Sequence, residues 1–262
     1  RTTIETELAR RDTSEFHIRL DVQREDREVT VEAHWWKGQK RVKINGAAQS
    51  RLSDLLGKVR VVLFAPEDIA LVKSGAAIRR RFMDMALSQI DPTYLAALQQ
   101  YRQVLRQRNE LLRGYRPDAA MLDVWDVQLA REGATLIRLR EAFLKELNDL
   151  ASDAYARIAD GEKLQLSYAP DSAADHLAEI LGAKRENDIR RKMTLHGPHR
   201  DEIEIAVADS PARSHASQGQ QKSAALSIRL AEMALIHRRT GEHPILLLDE
   251  VLAELDAQRA RH

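Results

Sequence analysis

"HPILLLDEVLAELD", residues 243–256, decides the reading of this chain. Four consecutive aliphatics, Ile245 to Leu248, follow Pro244 and read as a short central strand covered on both faces. Asp249 and Glu250 fall at its carboxyl end, where open α/β sheets bind ligands. Mg²⁺ is a hard cation that keeps several waters, so one carboxylate beside a triphosphate suffices, and Asp249 is the candidate. Glu250, one residue later, is the candidate general base for an attacking water. Alone, the same residues also fit a buried strand capped by two solvated acids ahead of a helix.

A second stretch narrows the choice. "SQGQQ" (217–221) opens a helix with Ser217 as N-cap, Ala224, Ile228, Ala231 and Leu235 on one face, and Gly241 at its end. The first-turn N–H groups and the positive end of the helix dipole form an anion site. Gly219 allows close backbone approach, and the Ser217 hydroxyl can donate to a terminal oxygen. An anion-binding helix, then a strand ending in Asp-Glu, then "AELD" (253–256) is a rarer order than any of these pieces singly.

Moving outward, Phe16, Ile18, Leu20 and Val22, then Val29, Val31 and Ala33, then Val42 and Ile44 alternate with polar residues. That period predicts half-buried antiparallel strands, with Asn45-Gly46 in a tight turn. "VVLFAPED" (61–68) is grouped with this small sheet as a strand stopped by Pro66. After Gly75 the period changes. Tyr94, Leu98, Tyr101, Leu105 and Leu112 form one helical stripe, and Leu122, Trp125, Leu129, Leu136, Phe143, Leu147 and Leu150 a second. "RGYRPD" (113–118) breaks them into an antiparallel helical hairpin. Residues 159–190 are mixed and polar and carry no clear period. Strand character returns in 193–207 around a Gly-Pro turn, and a last helix is expected near Leu255.

Composition sets the outer limits. In 262 residues, 41 Lys and Arg balance 40 Asp and Glu, so any nucleic-acid surface must come from local clustering. No cysteine is present, which excludes disulfides and thiolate metal sites and fits a reducing cytoplasm. No apolar run is long enough to cross a bilayer, so a soluble, cytoplasmic protein without a membrane partner is expected. No G-x-x-x-x-G-K-[ST] loop occurs, and "SGAAIRRR" and "LLGKVR" lack its spacing. Because the chain opens on Arg1 in mid-pattern, it reads as a piece of a longer one.

The chain resembles an ABC-type ATPase head: Ser217 to Gln221 are similar to the signature motif, Ile245 to Glu250 to the Walker B strand, and Ala253 to Asp256 to the D-loop. It resembles most the RecF family of the SMC-like branch, in "VVLFAPEDIALVKSGAAIRRRFMD" (61–84), "LDVWDVQLA" (122–130), "HGPHRDEIEI" (196–205) and "ASQGQQKSAALSIRLAE" (216–232). The resemblance implies an α/β head: residues 1–75 as lobe I with an antiparallel sheet, 76–189 as an inserted helical lobe II, and 190–262 as the return of lobe I. It implies ATP and Mg²⁺ as cofactors and a Walker A loop upstream of Arg1. Ser217, Gln218, Gly219 and Gln220 would close in trans over ATP held by a second subunit, with Asp256 in the D-loop. A homodimer formed on ATP would then bind duplex DNA near single-strand to double-strand junctions, meet RecR and RecO, and help load RecA. A non-catalytic scaffold for DNA or partners, with vestigial ATPase residues, is the alternative; a transporter subunit is disfavoured by the helical hairpin and "HGPHRDEIEI".

This sequence departs from the ABC pattern in two places. Pro66-Glu67-Asp68 stands where such heads carry a nucleotide-sensing glutamine, so Glu67 and Asp68 join His199 and Arg200 as possible sensing or interface residues. The switch histidine would fall past His262. Arg79, Arg80, Lys40 and Arg41 are the DNA-binding candidates, and Arg102, Arg106, Arg108 and the 190–192 group are weaker ones. Of Trp35 and Trp36, adjacent on a strand, only one can be core. For His196, His199 and Asp201, a hydrogen-bonded turn is favoured over a metal site.

Overall fold

The computed structural model describes residues 8–10, 12–24, 27–159 and 161–249. Glu250, Asp256 and the helix expected near Leu255 lie outside these residues. The chain divides into two compact units, one on each side of the Arg60–Val61 bond.

The first unit is a four-stranded antiparallel meander: β1 (Glu15–Gln23), β2 (Glu28–Trp36), β3 (Gln39–Ile44) and β4 (Ala47–Gln49). Lys37-Gly38 joins β2 to β3 and Asn45-Gly46 joins β3 to β4, each pair at positive φ (45° and 80°; 49° and 79°), the conformation of a two-residue hairpin turn. Register places Phe16 opposite Trp35, Ile18 opposite Ala33 and Leu20 opposite Val31, so the alternating apolar residues share one face. Trp35 is the core tryptophan, stacked on Phe16 at 5.7 Å, while Trp36 points the other way and is 43% exposed.

The second unit begins with β5 (Val61–Phe64) and a 3₁₀ turn, Pro66–Ile69. The grouping of "VVLFAPED" with the antiparallel sheet is corrected here. β5 pairs in parallel with β9 (Ile245–Leu248), Val61 opposite Ile245 and Phe64 opposite Leu248. A fully apolar tetrapeptide suits a parallel ladder better than a half-wet hairpin. Between them run α1 (Ala70–Lys73), α2 (Ala76–Ile90), α3 (Pro92–Leu112), α4 (Ala119–Ile158), β6 (Leu164–Ala169), α5 (Leu177–Ala183), α6 (Arg185–Arg191), β7 (Glu202–Val207), β8 (Ser210–Pro211), α7 (Ala212–His215) and α8 (Gln218–Thr240). β6, β7 and β8 form a separate antiparallel sheet. The polar stretch 159–190 thus holds one strand and two short helices. In 193–207 only Glu202–Val207 is strand, because the Gly-Pro segment before it turns the chain.

Helix ends follow local chemistry. Asp91 caps α3 by accepting from Thr93 N at 2.8 Å, ahead of Pro92 in the first turn, and Asp118 caps α4 by accepting from Ala120 N at 2.9 Å. α3 and α4 form the expected hairpin, and α4 packs along both α3 and α8. Their stripes, with β6, β7 and α8, bury one large core that includes Tyr94, Tyr101, Leu129, Leu136, Phe143 and Leu147. Gly133 lets this packing close: a Cβ there would lie 2.5 Å from Leu177 Cδ2.

Two charged clusters sit inside that core. Arg140, 2% exposed, donates to Asp84 at 2.8 Å, to Asp201 and the Pro198 carbonyl at 2.7 and 2.6 Å, and to Tyr94 Oη at 2.9 Å. Tyr94 donates to Asp84 at 2.5 Å and Tyr168 donates to Asp201. Arg108, fully buried, donates to Asp126 at 2.6 Å, Asp188 at 2.7 Å and Thr194 at 2.8 Å. Each cluster ties elements distant in sequence to one geometry.

Candidate functional site

The site is built from the head of α8. Ser217 is extended (φ −61°, ψ 162°) and its Oγ accepts from Gln220 N at 3.2 Å. Gln220 Oε1 returns the favour by accepting from Ser217 N at 2.8 Å, a reciprocal capping box. Gln221 Nε2 donates to the carbonyls of Ala212 and Arg213 at 3.0 and 3.3 Å, fastening the preceding α7 segment. Ser217 and Gln218 are exposed, Gly219 and Gln220 partly so. The N–H groups of Gln218 and Gly219 come too early in the helix for an intrahelical acceptor, and they remain for an anion.

The strand that leads to the carboxylates is placed differently from expectation. Among the described residues β9 has one neighbour, β5, and Leu246, Leu247 and Leu248 are 42%, 49% and 58% exposed. Central cover on both faces is therefore not found among those residues, since side chains pointing to either face of β9 remain substantially exposed. Asp249 follows as expected, exposed, with its backbone N–H donating to Phe64 O at 2.9 Å.

The turn after β5 is wired to α8. Asp68 Oδ2 accepts from Ala65 N at 2.9 Å, and its Oδ1 accepts from Arg229 at 2.8 Å. Arg229 also donates to Glu232 at 2.8 Å and lies over the Phe82 ring, 5.1 Å from its centre. Burial raises the Glu232 carboxyl above its ordinary pKa, with Arg229 working the other way. Glu67, beside Asp68, is exposed.

The "HGPHRD" loop is held from several sides. His196 and the Gly197 N–H both reach Asp171 Oδ2, at 3.1 and 2.9 Å. Gly197 sits at φ +128°, and a Cβ there would lie 2.6 Å from Tyr101 Oη. His199 Nε2 lies 3.1 Å from Thr194 O and Nδ1 2.7 Å from Tyr101 Oη. A carbonyl can only accept, so Nε2 carries the ring proton and Nδ1 accepts a hydrogen bond from the Tyr101 hydroxyl. Burial pushes the imidazole down to about 4, the Thr194 carbonyl opposes this, and Arg200 and Arg80 add to the lowering. Arg200 itself is exposed. No group of three or more His, Cys, Asp or Glu side chains that could hold a metal occurs among the described residues.

The basic candidates divide sharply. Arg79 is buried: Nε and Nη2 form a fork on Glu202 at 2.7 and 2.8 Å, and Nη1 donates to Leu71 O and Ser74 O. That guanidinium is fully engaged inside the fold, so it is removed from the phosphate-binding candidates. Arg108 is removed for the same reason, and Arg102 is paired with Asp84 at 2.7 Å. Arg80 donates to Asp201 O at 2.7 Å and is partly buried. Lys40 and Arg41 are both exposed in the first unit, on opposite faces of β3.

Comparison with known proteins gives the family. No family model matches. The "DNA replication and repair protein RecF" of Lachnospira eligens is 38% identical over 260 residues, covering 97% of this chain and 72% of that protein. The protein of the same name from Lachnoclostridium phytofermentans is 40% identical over 258 residues, with 97% and 72% covered. The chain belongs to the RecF family. The solved structure of "the recombination mediator protein RecF-ATP in RecFOR pathway" matches with a TM-score of 0.92 and 32% identity, over 99% of this chain and 74% of that one. A second RecF structure, described as RecF-ATPrS, gives 0.88 at the same identity, over 98% and 73%. The fold is the α/β ABC-type head expected from the sequence, with RecF as its family form.

What the sequence does not disclose is that Arg140, and Arg108 among the weaker phosphate-binding candidates, are buried. Arg140 lies four residues after Leu136 and three before Phe143, on the apolar stripe of α4, and Arg108 lies between Leu105 and Leu112 on that of α3. A charge on a core stripe was the available signal. No helix among the described residues is long and apolar enough to cross a membrane.

Proposed function

We propose that this chain is the greater part of a cytoplasmic RecF ATPase head that dimerises on ATP and acts at single-strand to double-strand DNA junctions with RecR, RecO and, through them, RecA. The single observation that carries the reading is the self-capped, solvent-facing turn Ser217–Gln220, whose free N–H groups suit a phosphate offered by a second copy. The names of the solved relatives, which pair RecF with ATP, lend it support.

The donor set fits a magnesium nucleotide, because Asp249 is a hard, exposed carboxylate at a strand end. When bound, Mg²⁺ would offset charge on the triphosphate of ATP, whose γ-phosphate both subunits would grip and from which water would displace ADP to give inorganic phosphate. In this reading Asp249 orients the cation, directly or through water. Glu250 takes the water's proton, Ser217 to Gln220 hold phosphate oxygens in trans, and Asp256 lies at the seam between the two subunits. Residues 1–75 and 190–262 act as lobe I and 76–189 as lobe II. Glu67, Asp68, His199 and Arg200 report nucleotide state, with Arg229 as the link from Asp68 into α8. Arg80, Lys40 and Arg41 contact DNA phosphates.

The test uses the chain extended to the full length of its relatives. Ser217→Arg is expected to abolish ATP-dependent dimers in sedimentation while leaving ATP binding by the monomer intact, since the added side chain fills the space meant for phosphate. A dimer that still forms with ATP sinks the trans contact. Glu250→Gln is expected to lengthen dimer lifetime by about 100-fold, the scale of a lost general base. Dissociation at the wild-type rate after an ATP chase removes Glu250 from that role. Absence of phosphate release by the wild type, with and without DNA, favours the scaffold reading instead.

A further inference from the structure

Glu162 has no part in the reading above, yet its carboxylate is hydrogen-bonded to the helix end on which that reading depends. It lies in the turn between α4 and β6, where Gly161 adopts φ +86° to bring the chain round. Tyr155, wholly buried near the end of α4, donates to Glu162 Oε2 at 3.2 Å. On the other side, Gln220 Nε2 donates to Oε1 and Oε2 at 3.2 and 3.0 Å.

These contacts settle which way the Gln220 carboxamide faces. A carboxylate can only accept and the Ser217 N–H can only donate, so the nitrogen must face Glu162 and the oxygen Ser217. Without Glu162 the amide is free to rotate, and in the reversed orientation its NH₂ would oppose the Ser217 N–H. The charged acceptor strengthens the bond that prevents this. None of the first-turn N–H groups of α8 donates to Glu162, so the carboxylate fixes the turn without occupying its anion-binding donors.

We propose that Glu162 is a positioning residue. Through Gln220 it holds the backbone at Ser217, so that the N–H groups of Gln218 and Gly219 stay aimed at the phosphate presented by a second copy. The inference rests on the ATP-dependent dimer proposed above, and the test separates the two. Wild type, Glu162→Ala and Glu162→Gln, each in the full-length chain, are compared for ATP-driven dimerisation by sedimentation, for ATP binding by the monomer, and for thermal melting.

Glu162→Ala is expected to weaken the dimer by about tenfold, the scale of one charged hydrogen bond, with monomer ATP affinity and melting unchanged. Glu162→Gln keeps an acceptor for Gln220 and is expected to restore most of the loss. The side-chain NH₂ resonances of Gln220 are expected to move in Glu162→Ala and to lie near the wild-type position in Glu162→Gln. Wild-type dimerisation by Glu162→Ala, or unmoved Gln220 resonances, overturns the inference. So does a loss in Glu162→Ala that Glu162→Gln does not repair, or one that follows a drop in melting temperature. A wild type that stays monomeric in ATP overturns the dimer reading first, which the Gln220 resonances then distinguish from failure of the Glu162–Gln220 contact.

Discussion

Arg140→Ala lowers the unfolding free energy by about 3–5 kcal/mol, the expected result of removing one partner from a buried ion cluster. The reason lies in what stays behind. Asp84 and Asp201 are 8% and 0% exposed, and each loses a charged donor at 2.8 and 2.7 Å. Burial by itself would weaken the proton affinity of Arg140, but Tyr94, Asp84, Tyr168 and Asp201 around it outweigh that and hold the guanidinium charged. Lysine cannot reproduce the fork that reaches two carboxylates, a carbonyl and a phenol at once, so Arg140→Lys is expected to recover only part of the loss. Urea unfolding of the three proteins is the check. Should Arg140→Ala be too unstable to purify, Arg140→Met combined with Asp84→Asn and Asp201→Asn, which leaves no isolated buried charge because Arg102, the other partner of Asp84, is mostly exposed, is expected to fold. A loss below about 1 kcal/mol for Arg140→Ala would mean that water reaches the carboxylates and the cluster is not a dry one.

Acid weakens the fold through His199 by about 3 kcal/mol, the second large effect. The ordinary imidazole pKa of 6.5 falls to about 4 in the folded chain, and each unit of difference corresponds to about 1.4 kcal/mol. A folded value below the unfolded one means that the unfolded chain binds the proton first. The contribution is therefore whole above pH 6.5, declines as pH falls from there towards 4, and is lost below that. Protonation has a structural cost as well, because the Nδ1 that accepts from Tyr101 would become a second donor. His199→Gln keeps a donor for Thr194 O and cannot titrate, so its stability should fall less steeply over that window. Parallel slopes for wild type and His199→Gln in urea titrations between pH 7 and pH 4 would assign the acid sensitivity to other groups. Glu202 acts lower on the scale: burial alone would raise it, but the Arg79 fork holds it below the ordinary carboxylate value of 4.5, so its contribution is lost only as pH falls below that value.

Much of this architecture can be read from spacing alone, because the periods are enforced by burial. The alternation from Phe16 to Val22 becomes one face of a sheet, and the stripes through Tyr94 to Leu112 and Leu122 to Leu150 become a packed helical hairpin. Ser217 announces its own cap, since S-x-x-Q places two complementary groups one helical turn apart. What spacing conceals is partnership across the chain. The run of Arg79, Arg80 and Arg81 looks like a basic patch, but Arg79 meets Glu202, 123 residues away, and only the fold brings them together. β5 was grouped with its sequence neighbours for the same reason, because a parallel ladder to β9 cannot be seen from either strand alone. Residues 159–190 gave no period since β6, α5 and α6 are each too short to repeat one. Glu162 sits within that stretch.

α4 is the longest helix among the described residues. Its 40 residues make a rod of about 60 Å at the usual rise per residue. Arg140 pins it near the middle, and Tyr155, the residue that grips Glu162, lies roughly 22 Å further along the axis by the same measure. Geometry turns such a rod into a lever: a pivot of about 5° at the pin would swing Tyr155 by ~2 Å, comparable with the length of a hydrogen bond. A tilt too small to disturb the core at Arg140 would be large enough at the far end to make or release the grip on Gln220.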